Sequence, residues 1–116
     1  WGLAFKPKTD DLREAPSITI IESLLENQAA VTAYDPVAME HAKTLFDTRV
    51  KFTKKNYDCL KNADALVVVT EWDEFRRPNW DTIKSLMRQP VIFDGRNIYD
   101  PKRMKALGFS YYAVGR

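Results

Sequence analysis

The feature that most constrains this sequence is a short apolar run near its middle, at positions 65–69. It reads Ala-Leu-Val-Val-Val, is rich in β-branched residues, and lacks the polar alternation of a strand with one wet face. Such a run predicts a strand that is buried on both faces, as in parallel sheets covered by helices. The sequence therefore favours a sheet with elements packed above and below it.

Shorter apolar runs alternate with segments of helical periodicity along the rest of the chain. The predicted strands are 31–34, 50–53, 91–93 and 109–113, and 3–5 is predicted as the tail of another. The predicted helices are 16–27, 37–46, 56–62, 80–87 and 101–107. Pro16 suits a first helical turn, and Gly108 suits the position just after a helix. We expect an α/β fold, Rossmann-like and doubly wound, with a mostly parallel sheet and helices on both faces.

Size and charge narrow the classes of function. The chain has 116 residues, which is enough for one domain, and a formal net charge of +2. That balance gives no reason to expect nucleic acid or an anionic membrane as a partner. The single cysteine, Cys59, suits a reducing cytoplasm and is expected to pack in the core. The chain opens inside an apolar run, so we expect it to be one domain of a longer protein.

The loop after the first predicted strand carries three cations, Lys6, Lys8 and Arg13, just before a helix begins. Cationic side chains beside helix N–H groups can bind a phosphate or a sugar hydroxyl. In the alternative interpretation the cations pair with their acidic neighbours, which are Asp10, Asp11 and Glu14. The loop lacks the glycine pattern that lets a backbone approach a pyrophosphate, so a self-contained NAD site is not expected.

A second candidate site follows the predicted strand 91–93, in Phe-Asp-Gly-Arg-Asn at 93–97. Gly95 permits a tight turn or a positive φ, and the turn would project Arg96 over the carboxyl edge of the sheet. There the planar guanidinium could bind phosphate or a sugar hydroxyl. Alternatively, Arg96 pairs with Asp94 or Asp100 within the turn.

The loop at 70–75, Thr-Glu-Trp-Asp-Glu-Phe, follows the central strand. It could line a pocket, but we favour a structural role in which Trp72 and Phe75 anchor a domain interface. His41 is expected at the surface. The sequence shows no cluster of cysteine, histidine and carboxylate residues with metal-ligand spacing.

Together these segments resemble the C-terminal domain of the UDP-glucose/GDP-mannose dehydrogenase family, in the family's order and over essentially the whole chain. The matching stretches are Gly-Leu-Ala-Phe-Lys-Pro at 2–7, Thr-Asp-Asp-Leu-Arg-Glu-Ala-Pro-Ser at 9–17, Tyr-Asp-Pro at 34–36, Ala-Asp-Ala at 63–65, Thr-Glu-Trp at 70–72 and Phe-Asp-Gly-Arg-Asn at 93–97. The resemblance implies that residues 1–116 form a nucleotide-sugar-binding domain, with the NAD-binding and catalytic parts upstream.

The resemblance also implies roles for individual residues. Phe5 and Lys6 match positions that line the nucleotide-sugar site, and Arg96 matches an arginine that contacts the same substrate. Arg13 matches an arginine that reaches the NAD held by the neighbouring domain. The family's catalytic cysteine lies in an upstream motif, so Cys59 is not its counterpart and this segment alone is expected to be inactive.

Within the family, the stretches 13–17 and 94–97 look more like the enzymes that oxidise UDP-glucose to UDP-glucuronate than like those acting on GDP-mannose or UDP-N-acetylmannosamine. A mainly structural dimerisation domain stays open as an alternative. The expected partners are a UDP-sugar, the upstream domains and, in a homo-oligomer, further copies of the chain.

Overall fold

The computed structural model describes residues 1–13 and 15–114. The helices are α1 (Pro16–Glu26), α2 (Met39–Phe46), α3 (Asp73–Arg76), α4 (Trp80–Leu86) and α5 (Pro101–Ala106). The strands are β1 (Thr32–Ala33), β2 (Lys51–Phe52), β3 (Leu66–Val68), β4 (Val91–Asp94) and β5 (Ser110–Ala113). Two 3-10 turns occupy Asp47–Arg49 and Tyr57–Leu60.

The strands pair in parallel: β1 pairs with β2, β3 with β4, and β4 with β5. Residues 1–4, here called the first segment, join these two groups. The joining backbone hydrogen bonds run from Gly2 N to Tyr34 O at 2.8 Å, from Trp1 N to Val67 O at 2.8 Å, and from Val69 N to Trp1 O at 2.9 Å. The spatial order is therefore β2, β1, first segment, β3, β4, β5. Numbered along the chain this is 3-2-1-4-5-6, the order of the dinucleotide-binding Rossmann fold.

The prediction of a strand at 3–5 is wrong in detail. The backbone N–H groups of Leu3 and Ala4 donate to a carboxylate oxygen of Asp35, at 2.8 and 3.4 Å, and not to a neighbouring strand. Their carbonyl oxygens accept from the hydroxyls of Ser17 and Thr70. Side chains thus replace the hydrogen bonds of a ladder here, and the backbone bends from Ala4 onward.

Two apolar cores lie on opposite faces of the sheet. One contains Ala33 and Phe46 and includes residues of α1 and α2, while the other contains Tyr34 and includes residues of α3, α4 and α5. Ala33 and Tyr34 are consecutive, and they face opposite cores because strand side chains alternate. The predicted helices on both faces are confirmed. Cover is incomplete on the α1 side, where the rings of Phe93 and Tyr112 stack at 5.1 Å and stay 43% and 56% exposed.

The remaining predicted elements are present, with bounds that differ by one or two residues. The predicted end of the last helix is confirmed: Gly108 has a φ of 92°, and its N–H and that of Phe109 donate to the carbonyls of Lys105 and Met104. This pattern is a Schellman motif. The sequence did not predict α3, because a four-residue helix shows no periodicity.

Candidate functional site at the carboxyl edge of the sheet

The strand order reverses between the first segment and β3. In open α/β sheets, ligands bind beyond the carboxyl ends of the strands at such a reversal. Here the two elements approach closely, since a Cβ added at Gly2 would lie 2.5 Å from the Cβ of Thr70. Thr70 is fully buried, and its hydroxyl donates to Ala4 O at 2.5 Å. The loops that follow Ala4 and Thr70 therefore leave the sheet from one fixed point.

Asp35, at the end of β1, ties this point to the neighbouring turn. Its side chain is fully buried and accepts hydrogen bonds from five donors, which are the backbone N–H groups of Leu3, Ala4, Val37 and Ala38 and the indole N–H of Trp72. In dinucleotide-binding Rossmann domains an acid after the second strand binds the ribose hydroxyls. Asp35 has that place in the strand order, but its oxygens are already engaged by the protein, so it does not offer a ribose site.

Phe75 does not have the predicted role of an interface anchor, whereas the interface role of Trp72 stays a prediction. Phe75 is 0% exposed and stacks on Trp1 with 4.7 Å between ring centroids, so the interface prediction is wrong for this residue. Trp72 is partly buried, and its indole N–H reaches Asp35 at 3.3 Å. The loop at 70–75 is thus held against the core and can serve as one wall of a site.

Phe5 and Lys6 follow the first segment. The Lys6 ammonium lies 5.2 Å from the centroid of the Phe5 ring, in a cation–π contact. Phe5 is partly buried, and Lys6 is exposed. Among the described residues neither Lys6 nor Lys8 has an acidic partner within ion-pair distance. Lys8 has a φ of 65°.

Asp94, the last residue of β4, shapes the loop that carries Arg96. Asp94 is 1% exposed, and its carboxylate accepts from the backbone N–H groups of Arg96, Ile98 and Tyr99 and from the hydroxyl of Tyr111, at distances of 2.7 to 3.1 Å. A buried acceptor with several donors holds a turn in one conformation. Asp94 therefore fixes the main chain of Arg96 and not its guanidinium.

The Arg96 guanidinium pairs with neither of the two predicted partners, Asp94 and Asp100. Instead its Nε donates to an oxygen of Glu71, in the loop after β3. The positive φ anticipated at Gly95 occurs at Asn97, which has a φ of 55°. A Cβ at Gly95 would lie 3.0 Å from Val68 O, so close approach to β3 is the constraint at this glycine.

Arg13 adopts the local pairing considered as an alternative for this loop. Its Nε and Nη2 donate to both carboxylate oxygens of Asp11, and the Arg13 side chain is 87% exposed. Hydrogen bonds from this guanidinium and from the Arg13 backbone lower the pKa of Asp11 to about 2. The third acid of the loop, Glu14, lies outside the described residues.

Two open spaces meet at this edge. A cavity of about 350 Å³ lies between the loops that follow the first segment and β3, and it is lined by Pro7, Lys8, Glu71, Trp72, Asp73 and Arg76. A groove of about 500 Å³ runs between α1 and the uncovered face of β3 to β5, and Arg96 is among its lining residues. Because Glu71 lines one space and Arg96 the other, their ion pair lies between the two. Phe5 and Lys6 line neither.

Cys59 and His41 lie outside this arrangement. Cys59 is buried, and burial raises the pKa of its thiol, as expected for a packing residue. His41 is exposed, with Nδ1 3.0 Å from the carbonyl oxygen of Asp10. Residues 1–13 and 15–114 contain no group of three or more histidine, cysteine or acidic side chains placed to hold a metal ion. No helix in that part of the chain is long and apolar enough to cross a membrane.

Nucleotide-sugar dehydrogenases are among the known proteins that this chain resembles. Residues 1–101 match the UDP binding domain of the UDP-glucose/GDP-mannose dehydrogenase family. The chain is 47% identical to the UDP-glucose 6-dehydrogenase of Pseudomonas aeruginosa, over 100% of this chain and 27% of that protein. It is 43% identical to the UDP-glucose 6-dehydrogenase of Rhizobium meliloti, over 99% of this chain and 26% of that protein. The chain thus spans about a quarter of the length of these relatives.

Solved structures agree with the sequence relatives. An NDP-N-acetyl-D-galactosaminuronic acid dehydrogenase from Methanosarcina mazei superposes with a TM-score of 0.84 at 30% identity, over 99% of this chain and 23% of that one. A UDP-glucose dehydrogenase from Pyrobaculum islandicum gives 0.77 at 30% identity, over 96% and 23%. The strand order agrees with these similarities, and the chain belongs to the UDP-glucose/GDP-mannose dehydrogenase family, in which it corresponds to the UDP binding domain.

Proposed function

We propose that this chain is the substrate-holding, C-terminal domain of an NAD-dependent UDP-glucose 6-dehydrogenase, which oxidises UDP-glucose to UDP-glucuronate with two NAD. Arg96, Phe5 and Lys6 hold the nucleotide sugar, and Arg13 contacts NAD that is bound mainly by another domain. The catalytic cysteine belongs to a part of the protein outside residues 1–116. The protein acts in the cytoplasm as a homo-oligomer, and a reduced, buried Cys59 suits that compartment.

The observation that carries this proposal is the placement of Arg96. Its backbone is held by buried Asp94, its Nε is engaged by Glu71, and its Nη1 and Nη2 have no partner among the described residues. A guanidinium that is anchored through Nε and has two further NH₂ groups suits a diphosphate, which accepts paired hydrogen bonds. Lys6 adds a second cation on a loop that begins at the same edge.

In this proposal another domain binds NAD, and the present chain only contacts the bound cofactor. Asp35 engages five internal donors, so the acid that would bind ribose in a self-contained site is not available. Arg13 is exposed and extends from the same loop as Lys6, where its guanidinium can contact an anionic cofactor presented by another domain. When bound, NAD accepts the hydride, while the residues of this domain orient the sugar.

The identity of the sugar rests on the sequence relatives. The two at 43% and 47% identity carry the name UDP-glucose 6-dehydrogenase, whereas solved structures at 26% to 33% identity include dehydrogenases of N-acetylated sugars. A substrate panel of UDP-glucose, UDP-N-acetylmannosamine and GDP-mannose, assayed with the full-length protein, tests the assignment. UDP-glucose should have the highest kcat/KM, and a clear preference for another sugar would replace it.

The direct test of the site is Arg96→Ala in the full-length protein. Loss of paired, charge-assisted hydrogen bonds should raise the KM for UDP-glucose about 10- to 100-fold. The matched control is Arg88→Ala, which removes an exposed arginine that pairs with Asp64 just before β3, at the opposite edge of the sheet. Arg88→Ala should leave the KM unchanged. An unaltered kcat/KM for Arg96→Ala would refute the role of Arg96.

A second candidate function, assembly of subunits, is favoured by the uncovered sheet face. Phe93, Tyr112 and Val114 are 43%, 56% and 62% exposed, and they line the groove that Arg96 also lines without being among the proposed nucleotide contacts. Tyr112→Ser in the full-length protein discriminates the two functions. If assembly is the main role, light scattering should show altered oligomers. If substrate holding is the main role, Arg96→Ala should raise the KM while the oligomer stays intact.

A further inference from the structure

We propose that Glu71 is a positioning residue, which orients the Arg96 guanidinium so that its outer N–H groups face the nucleotide diphosphate. This inference rests on the proposed role of Arg96 in substrate binding. It adds a residue from the loop after β3 to a site that the sequence placed in the loops after the first segment and β4.

The ion pair joins two loops whose starting points are rigid. Glu71 directly follows Thr70, which is fully buried and donates to Ala4 O. Arg96 follows buried Asp94 by two positions and donates its backbone N–H to the Asp94 carboxylate at 2.9 Å. Each side chain thus extends from a fixed backbone. The Glu71 side chain is 21% exposed and that of Arg96 is 37% exposed, so the contact lies at the boundary between core and solvent.

The contact leaves the outer end of the guanidinium available. Glu71 receives the hydrogen bond from Nε, whereas Nη1 and Nη2 have no partner among the described residues. Arg49 differs, because its Nε, Nη1 and Nη2 all donate to groups of the protein. An arginine anchored through Nε presents its Nη pair as a fork, and that fork matches the paired oxygens of a phosphate.

Orientation, and not stability, is the expected benefit of this pair. Exposed ion pairs contribute little to folding because solvent screens them. A long side chain that is already ordered, however, loses less conformational entropy when a ligand binds it. Removing Glu71 should therefore weaken binding about fivefold, the affinity equivalent of immobilising one long side chain, with little change in melting temperature.

A competing role for Glu71 makes the opposite prediction. If the Glu71 carboxylate mainly repels the diphosphate, or competes with it for the Arg96 guanidinium, both Glu71→Ala and Glu71→Gln should bind UDP more tightly. If Glu71 positions Arg96, Glu71→Ala should bind more weakly. Glu71→Gln should retain most of the affinity, because its amide oxygen can still accept from Nε. Glu71→Asp should bind UDP more weakly, because its side chain is one methylene shorter, even though it keeps the negative charge.

The test uses the full-length protein, with UDP titrated by calorimetry and steady-state kinetics for UDP-glucose at saturating NAD. For Glu71→Ala and Glu71→Asp we expect a KM about fivefold higher at nearly constant kcat, and for Glu71→Gln a KM near that of the parent. Asp64→Ala is the control, because it removes the acid of the Arg88 pair at the opposite sheet edge. Its KM should not change.

A double-mutant cycle separates failure of this inference from failure of the proposed function. In an Arg96→Ala background, loss of Glu71 should have no further effect on UDP binding. If Arg96→Ala itself has no effect, the proposed site is wrong. If Arg96→Ala weakens binding but every Glu71 variant binds like the parent, or binds more tightly, only the positioning role is overturned. Should Glu71→Ala fail to fold, the contrast between Glu71→Asp and Glu71→Gln decides the matter.

Discussion

At the scale of single residues, two groups of charged side chains at the carboxyl edge of the sheet differ in burial. Asp35 and Asp94 are almost fully buried and accept mainly from backbone N–H groups, whereas Lys6, Arg13 and Arg96 reach solvent. A buried carboxylate that satisfies several donors is costly to alter, because each donor then lacks its partner. The buried acids thus fix the loops, and the exposed cations remain available for an anionic ligand.

Asp94→Asn tests this division of roles. An NH₂ group in the position of Oδ2 would face the three donors that now share this oxygen, which are the N–H groups of Ile98 and Tyr99 and the hydroxyl of Tyr111. We expect the free energy of unfolding to fall by about 2 kcal/mol in urea titrations of the chain. Asp10→Asn, at an exposed position, should fall within about 0.5 kcal/mol of the parent. Equal stability of the two variants would contradict the structural role of Asp94.

Arg13→Ala tests the proposed contact with NAD. The Arg13 side chain is 87% exposed and, among the described residues, pairs with Asp11 alone, so its loss should change stability little. In the full-length protein the KM for NAD should rise about tenfold, because a charge-assisted contact is lost, while the KM for UDP-glucose stays constant. A variant with the parent's affinity for NAD would count against this role, and a change confined to UDP-glucose would move Arg13 to the substrate site.

At the scale of elements, the contact between the first segment and β3 determines where the site lies. Strand order reverses there, and the two elements meet at Gly2 and Thr70. Apolar periodicity predicted nearly all the helices and strands, because it reflects local burial. It could not predict that Asp35 would take the backbone donors of Leu3 and Ala4, since that depends on β1 lying beside the first segment.

Gly2→Ala and Gly108→Ala form a matched pair that isolates this contact. Their φ angles are 94° and 92°, so an alanine has a strained backbone at both positions. A Cβ at Gly2 would lie 2.5 to 2.6 Å from the main chain and side chain of buried Thr70, whereas at Gly108 it would meet the flexible end of Lys84 at 2.9 Å. Gly2→Ala should therefore destabilise the chain by at least about 2 kcal/mol more, measured by urea unfolding. Similar losses in the two variants would show that the contact has room to relax.

At the scale of the whole molecule, the chain offers open surfaces that we propose form one wall of a larger site. Its cavity and groove are open, and it spans about a quarter of the length of its relatives. Small-molecule sites usually bury most of the ligand surface, which a single open edge does not do. The domain is therefore expected to depend on the rest of the protein for high affinity.

Calorimetry on the 116-residue chain and on the full-length protein measures this dependence. We expect UDP-glucose to bind the isolated chain at least about 100-fold more weakly, because most of the ligand surface stays in water. Equal affinity of the isolated chain and the full-length protein would show that this domain forms a complete site.

Cys59→Ser in the full-length protein should leave turnover largely intact, because Cys59 is a buried packing residue.

The sequence by itself determined the class of fold, the order of the elements along the chain and the loops in which we propose that the ligand binds. These properties follow from short-range patterns: apolar periodicity, turn residues and the motifs at 2–17 and 93–97. Only the tertiary structure decided which side chains and backbone groups interact with one another. It paired Arg96 with Glu71, 25 positions away, engaged Asp35 with five donors, and buried Phe75 in the core. Such pairings depend on which strands lie side by side, and strand order arises from packing of the whole chain, which no local pattern specifies.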